Sequence, residues 1–330
     1  MSEGAGKFFR YGCLGCVGAI LLCLGFISVL VAVGRNAAQS EKVATRQVED
    51  PLPGALPVIE APPSAEAPPS SEARPVPSFS DAPSLPTPEF PEEPPAPRRG
   101  SVLLDLANGE FEVQPARPGE PLRVDAEYDE NRYELVTRLD EPGSGEWSYE
   151  VRFRQKGPGG LMDLLAGMFG ARTPRVVVFL PPDVPMDLDL RFSQGGGRAD
   201  LGGLWLTDTK VTFAQGGGEL EFSEPLREPT ETLVVDASMG GGSFQRMGNA
   251  SPRELRVATR MGGGEVDLTG DWQRDCEVTL ESRMGGLGVR LPDDVNVRGV
   301  PGRPSPEGDQ AGVPTLHLEY SSSMGEIEFH

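Results

Sequence analysis

Histidine is almost missing from this chain of 330 residues: His317 and His330 are the only two. That supply leaves little for imidazole acid–base chemistry or a histidine-rich metal site. Cysteine is nearly as scarce. Of four, Cys13, Cys16 and Cys23 share one apolar run and Cys276 is alone in the remainder, so the chain beyond that run cannot close an internal disulfide and must be held by packing. Basic residues are outnumbered. The 30 Lys and Arg stand against 50 Asp and Glu, and the formal net charge of -20 repels a phosphate backbone, which argues against nucleic acid as a partner. These shortages point away from an enzyme, and no catalytic, cofactor-binding or metal-binding set emerges from them.

Proline and glycine are abundant, 33 and 42 residues, and leave less chain for packed structure than the length suggests. Residues 11–33, YGCLGCVGAILLCLGFISVLVAV, carry no charge. As a helix at about 1.5 Å per residue they would span roughly 34 Å, enough for a bilayer core and too long for the apolar part of a cleaved signal. A transmembrane anchor is expected there, after a short cytoplasmic tail of residues 1–10. The Cys13 and Cys16 pair at its mouth reads as small membrane-compatible residues, with acylation or redox chemistry as alternatives. Lys7 and Arg10 are balanced by Arg35, Lys42 and Arg46, so charge counting leaves the orientation open. Residues 51–97 hold 16 of the 33 prolines amid Ala, Ser and Glu, a composition that favours extended polyproline II over a core. The expectation is a disordered stalk over residues 34–100, holding a head away from the membrane and outside the cytoplasm.

The strongest pattern is an internal repeat of about 22 residues. Glycine clusters recur as SQGGGRADL, AQGGGELEF, SMGGGSF, RMGGGEVDL and RMGGLGVRL, with first glycines Gly195, Gly216, Gly240, Gly262 and Gly285. Five residues before each stands Leu190, Val211, Val235, Val257 or Leu280. Seven before stands Leu188, Thr209, Leu233, Leu255 or Val278, with polar residues such as Asp189, Lys210 and Arg256 between the columns. Apolar residues alternate after the glycines too, as Ala199 and Leu201, Leu220 and Phe222, Val266 and Leu268, and Val289 and Leu291, while the third repeat keeps Phe244 and then slips. Alternation on both sides of a glycine means two short strands around a corner, with one apolar face that a single repeat cannot bury alone. Stacking the repeats buries it. The reading is all-β: a parallel β-solenoid head over residues 175–330, with glycine where a corner needs positive φ or close approach. VLLDLANGEFEV and LHLEYSSSMGEIEFH read as caps or flanking rungs, and three alternating segments between Pro121 and Phe153 as an antiparallel meander.

Several residues are candidates for contact. Residues 157–174 form an apolar insertion in a β extension of residues 101–174, and its Leu164, Met168 and Phe169 either pack on the sheet or meet a partner or bilayer. Trp205 and Trp272 each lie ten residues after their first glycine, where they cover the core edge or stack on sugar rings. Met239, Met261 and Met284 share a column with Gln194 and Gln215, and thioethers there either fill a core corner or hold a soft metal such as Cu(I). Asp187, Asp189, Asp200, Asp236 and Asp267 fall in different columns and read as scattered surface acids rather than a catalytic pair. A calcium β-roll is excluded, because Arg290 takes the aspartate position after Gly285 and Glu265 a required glycine position.

With the MGGG repeats and the phrases FLPPDVPMDLDL and VRLPDDVNVRG, residues 101–330 resemble the bacterial toastrack-type adhesin and LiaF-like cell-wall-stress response domains. Residues 101–155 are similar to the N-terminal extension that precedes such domains. The resemblance implies an envelope protein that binds or senses, with no catalytic residues to carry over. The expectation is thus a single-pass envelope protein whose head binds an envelope component or a protein partner. A self-assembling scaffold and a carbohydrate-active enzyme are the alternatives.

Overall fold

The computed structural model describes residues 43–50, 99–141, 146–157, 172–301 and 312–330. The expected tail and anchor, most of the stalk, and the apolar insertion with Leu164, Met168 and Phe169 lie outside the described residues. Among the described residues no helix is long and apolar enough to cross a membrane.

Alternating burial turns most of the described residues into strand. In order these are β1 (Val43–Asp50), β2 (Gly100–Pro115), β3 (Leu122–Asp129), β4 (Tyr133–Asp140), β5 (Trp147–Gln155), β6 (Arg175–Leu180), β7 (Met186–Asp200), β8 (Leu206–Phe213), β9 (Gly218–Glu221), β10 (Thr232–Met239), β11 (Gly242–Gln245), β12 (Glu254–Met261), β13 (Gly264–Asp267), β14 (Cys276–Arg290), β15 (Asn296–Arg298) and β16 (Thr315–Phe329), with one 3-10 turn at Met247–Ala250. The fold is all-β, and its repeats pair in parallel and in register. Leu190, Val211, Val235, Val257, Leu280 and Tyr320 sit side by side across β7, β8, β10, β12, β14 and β16. Past the corner, Ala199, Leu220, Phe244, Val266 and Val289 form a second ladder through β7, β9, β11, β13 and β14. β7 and β14 run through the corner and belong to both ladders, so the hydrogen-bonded path closes on itself. β2 and β16 are full rungs, paired with β7 and β14 on both sides of the corner. In β2 an extra residue, Asn108, turns the corner at φ 65, a conformation that Asn tolerates better than most side chains.

The three glycines of each cluster answer to different demands. First glycines take φ from +114 at Gly195 to +136 at Gly285, and each packs on the glycine carbonyl one rung before. The third glycines Gly197, Gly218 and Gly242 leave room for rings: a Cβ on Gly218 would lie 2.2 Å from the Phe213 ring. Phe111, Phe192, Phe213 and Phe244 then stack through successive rungs with centroids 5.1 to 6.1 Å apart, filling the inside of the corner.

The expected antiparallel meander is present only in part. β4 and β5 form a hairpin, but β3 pairs antiparallel with β1 and β6 instead of β4. Both edges of β5 are already occupied, by β2 and β4. β3 instead sets its buried Val124 and Ala126 beside the buried Val178 and Val176 of β6. β1 falls within the stretch expected to be a disordered stalk, yet it pairs with β3 along its whole length. It is pinned at its end, where the Tyr149 hydroxyl donates to the Asp50 carboxylate at 2.8 Å. Burial, and then that carboxylate, push the Tyr149 phenol well above its usual range, so it remains a donor at physiological pH. Cys276 is also buried, and burial pushes its thiol up to about 12, which makes it a packing residue rather than a nucleophile.

Candidate functional site

Strand alternation sends every second side chain outward, so the stacked rungs share one continuous outer face. A row across it reads Glu150, Leu103, Asp189, Lys210, Val234, Arg256, Thr279 and Glu319, each beside the next, from β5 to β16. At about 4.8 Å per strand the row is roughly 34 Å long. Near its start the face hollows into a cleft of about 520 Å³ that includes Leu103, Tyr149 and Val234, with Asp187, Asp208 and Lys210 also lining it.

One nitrogen of Arg99 binds Asp187 at 2.6 Å and Asp208 at 2.9 Å, and the Thr207 hydroxyl donates to Asp187 as well. The hydrogen bond to Asp187 raises the Arg99 guanidinium above its already high range. Arg191 holds Asp189 in the same way. These pairs are solvent-exposed and add little stability. What they do is hold the carboxylates of the cleft in place, with one guanidinium shared by Asp187 and Asp208, while Lys210 makes no ion pair among the described residues. An apolar patch rimmed by fixed polar groups is suited to binding by contact and hydrogen bonding. A second, more open hollow of about 670 Å³ follows the glycine corners past the ion pairs Arg175–Glu112 and Arg198–Glu219.

The residues singled out from sequence are dispersed by the fold. Trp205 is half-buried under Arg227, whose guanidinium lies 5.0 Å from its ring. Trp272 is 5% exposed and donates Nε1–H to the Leu268 carbonyl at 2.7 Å, so it is a core residue closed to a sugar ring. Asp187 and Asp189 line the cleft, and Asp236 lies in the next outward row. Asp200 accepts the backbone N–H groups of Gly202 and Ser223, and Asp267 that of Thr269, which makes both turn residues. The methionine column does not fill a core corner. Met239, Met261 and Met284 are 39%, 44% and 41% exposed, because the phenylalanine stack already occupies the inside. The cleft itself was missed, since Arg99 and Leu103 come from outside the repeats and no column aligns them with Asp208. The available signal is Val234, the one apolar residue among Asp189, Lys210, Arg256 and Thr279 in the equivalent position of the five repeats.

No known protein family matches this chain, and no curated protein matches it. Among solved structures it is similar to a candidate cell adhesion protein from Clostridium sporogenes, 15% identical, over 72% of this chain and 94% of that one, with a TM-score of 0.34. It is also similar to a candidate adhesin from Bacteroides fragilis, 9% identical, over 70% of this chain and 91% of that one, with a TM-score of 0.35. Likeness this distant transfers no residue and no ligand.

Proposed function

We propose that this chain is a single-pass envelope protein with an adhesin-like, non-enzymatic binding head directed away from the cytoplasm. The carrying observation is the cleft on the outer face, where Leu103 and Val234 offer apolar contact beside the ion-paired Asp187, Asp189 and Asp208, and Lys210 offers an ammonium with no ion pair among the described residues. The anchor rests on the uncharged run of residues 11–33. The winding of the head as a parallel β-solenoid rests on ladders that join equivalent residues of successive repeats, with first glycine stacked on first glycine.

Co-sedimentation of the full chain with purified cell-wall material tests the reading. The wild type is expected to sediment with the wall, and Leu103→Asp/Val234→Asp to weaken binding by at least about tenfold, the scale of a lost binding hot spot. Both substitutions are on outward positions and are expected to leave circular dichroism unchanged. Equal binding by the variant would remove the cleft from the reading, no binding by the wild type would remove the wall as partner, and release of soluble sugar would make the protein an enzyme.

A scaffold is the second reading, favoured by one observation. β16 pairs β14 on one side, but on the other it meets β15 only over Thr315–His317, so from Leu318 onward it has no further strand partner among the described residues. Such an edge is a template for another chain.

A further inference from the structure

We propose that the exposed methionines form a soft-metal site that holds Cu(I), or a monovalent ion of the same class, through thioether sulfur. Met239 of β10 lies beside Met261 of β12, Met261 beside Met284 of β14, and Met284 beside Met324 of β16. Neighbouring strands are about 4.8 Å apart, so these side chains leave the backbone in a row at that spacing. The methionine side chain is long and unbranched, with freely rotating bonds, so thioethers of adjacent rungs can close on one ion. Thioether sulfur is soft and selects Cu(I) over zinc, calcium or magnesium. It carries no proton to displace, so the site does not depend on pH as thiolate and imidazole sites do.

The fold does not ask for methionine here. The same column holds Gln194 and Gln215 in earlier rungs, and the backbone bonding continues unchanged, from Gly195 N–H to the Gln215 carbonyl, Gly216 N–H to that of Met239, and Gly240 N–H to that of Met261. Nor does burial explain it. Met324 is 70% exposed and its three neighbours about 40%, so little apolar surface is removed from water. The property that separates this row from its glutamine neighbours is sulfur. Arg260 and Arg283 precede Met261 and Met284 and are exposed. In water their repulsion of a cation is small, and the net charge of -20 acts the other way.

Silver(I), which keeps its oxidation state, is the probe. The full chain is labelled with carbon-13 in its methionine methyl groups, its accessible thiols are blocked by alkylation, and silver nitrate is titrated in. The methyl signals of Met239, Met261, Met284 and Met324 are expected to move, those of the buried Met186 and Met247 to stay, and zinc sulfate to move none. Met261→Gln/Met284→Gln copies the residue of the earlier rungs, so the fold is kept and near-ultraviolet dichroism serves as its check. Silver affinity should fall by at least about tenfold, as it does when even an outer-shell partner of a metal is lost. Undiminished affinity in that variant, equal shifts at all methionines, or no response to micromolar silver would each overturn the site.

Discussion

Valine in place of Gly262 is expected to cost the protein about 3–5 kcal/mol, a large share of the stability of an ordinary domain. Gly262 sits at φ +135, which a β-branched residue does not adopt, and its added Cβ would lie 1.9 Å from the Gly240 carbonyl oxygen. Neither clash can relax locally, because that carbonyl belongs to the corner of the neighbouring rung. The adjacent Gly263 provides the control. It is not at positive φ, and its Cβ would meet a carbonyl oxygen no closer than 3.5 Å, so Gly263→Val should cost within about 1 kcal/mol. Sequence alone predicts the strain at Gly263; the structure moves it one residue back, because Gly262 is at positive φ and Gly263 is not. Urea melts of the two variants decide it, and comparable losses at both positions would mean that the corner is not held by the stacked first glycines.

The second large effect is expected at Phe153. It is fully buried, with Tyr128 and Phe111 edge-on at 5.4 and 5.9 Å and Tyr133 stacked at 5.5 Å, so one ring joins β5 to β2, β3 and the start of β4. Phe153→Ala should lower stability by about 3–5 kcal/mol, the cost of emptying a ring-sized site. Phe179 lies on the opposite side of its strand, half-buried under the Arg123 guanidinium at 3.9 Å, and its removal should cost about 1 kcal/mol, the worth of an exposed cation–π contact. If chemical denaturation shows the two alanine variants to be equally stable, Phe153 does not couple the flanking strands to the ladders.

The ladders were legible because period-two alternation recurs at a fixed distance from a glycine. Val235 and Val257 were aligned by counting, and they are hydrogen-bonded neighbours. Counting fails where the partner is not a repeat. β3 was assigned to the next strand in sequence, but its pairing is decided by which edges of β5 are free. The phenylalanine stack was invisible for a related reason. Phe192 and Phe213 come from before the corner, Phe111 and Phe244 from after it, so no column contains all four. The usual preference of methionine for packed interiors predicts an inward column, but the phenylalanine stack fills that space. The cleft was not legible, because Arg99 meets Asp187 and Asp208 only after β2 has been laid against β7.

The pairing of β1 bears on how far the head can travel. Asp50 and Arg99 are both fixed to the same body, one through Tyr149 and the other through Asp187. The 48 residues between them therefore add no length to a tether that begins at the proposed anchor. While β1 stays zipped, only residues 34–42 separate it from the proposed anchor, a contour length of roughly 30 Å at full extension. Once β1 peels from β3, the 48 residues 51–98 would add a contour length of roughly 150 Å at about 3.1 Å per residue. β1 keeps most of its side chains in water, so this zipper is the lightly held joint of the molecule. Pulling from a handle at Arg35 should register its release as one long step before any rung of the ladders gives way.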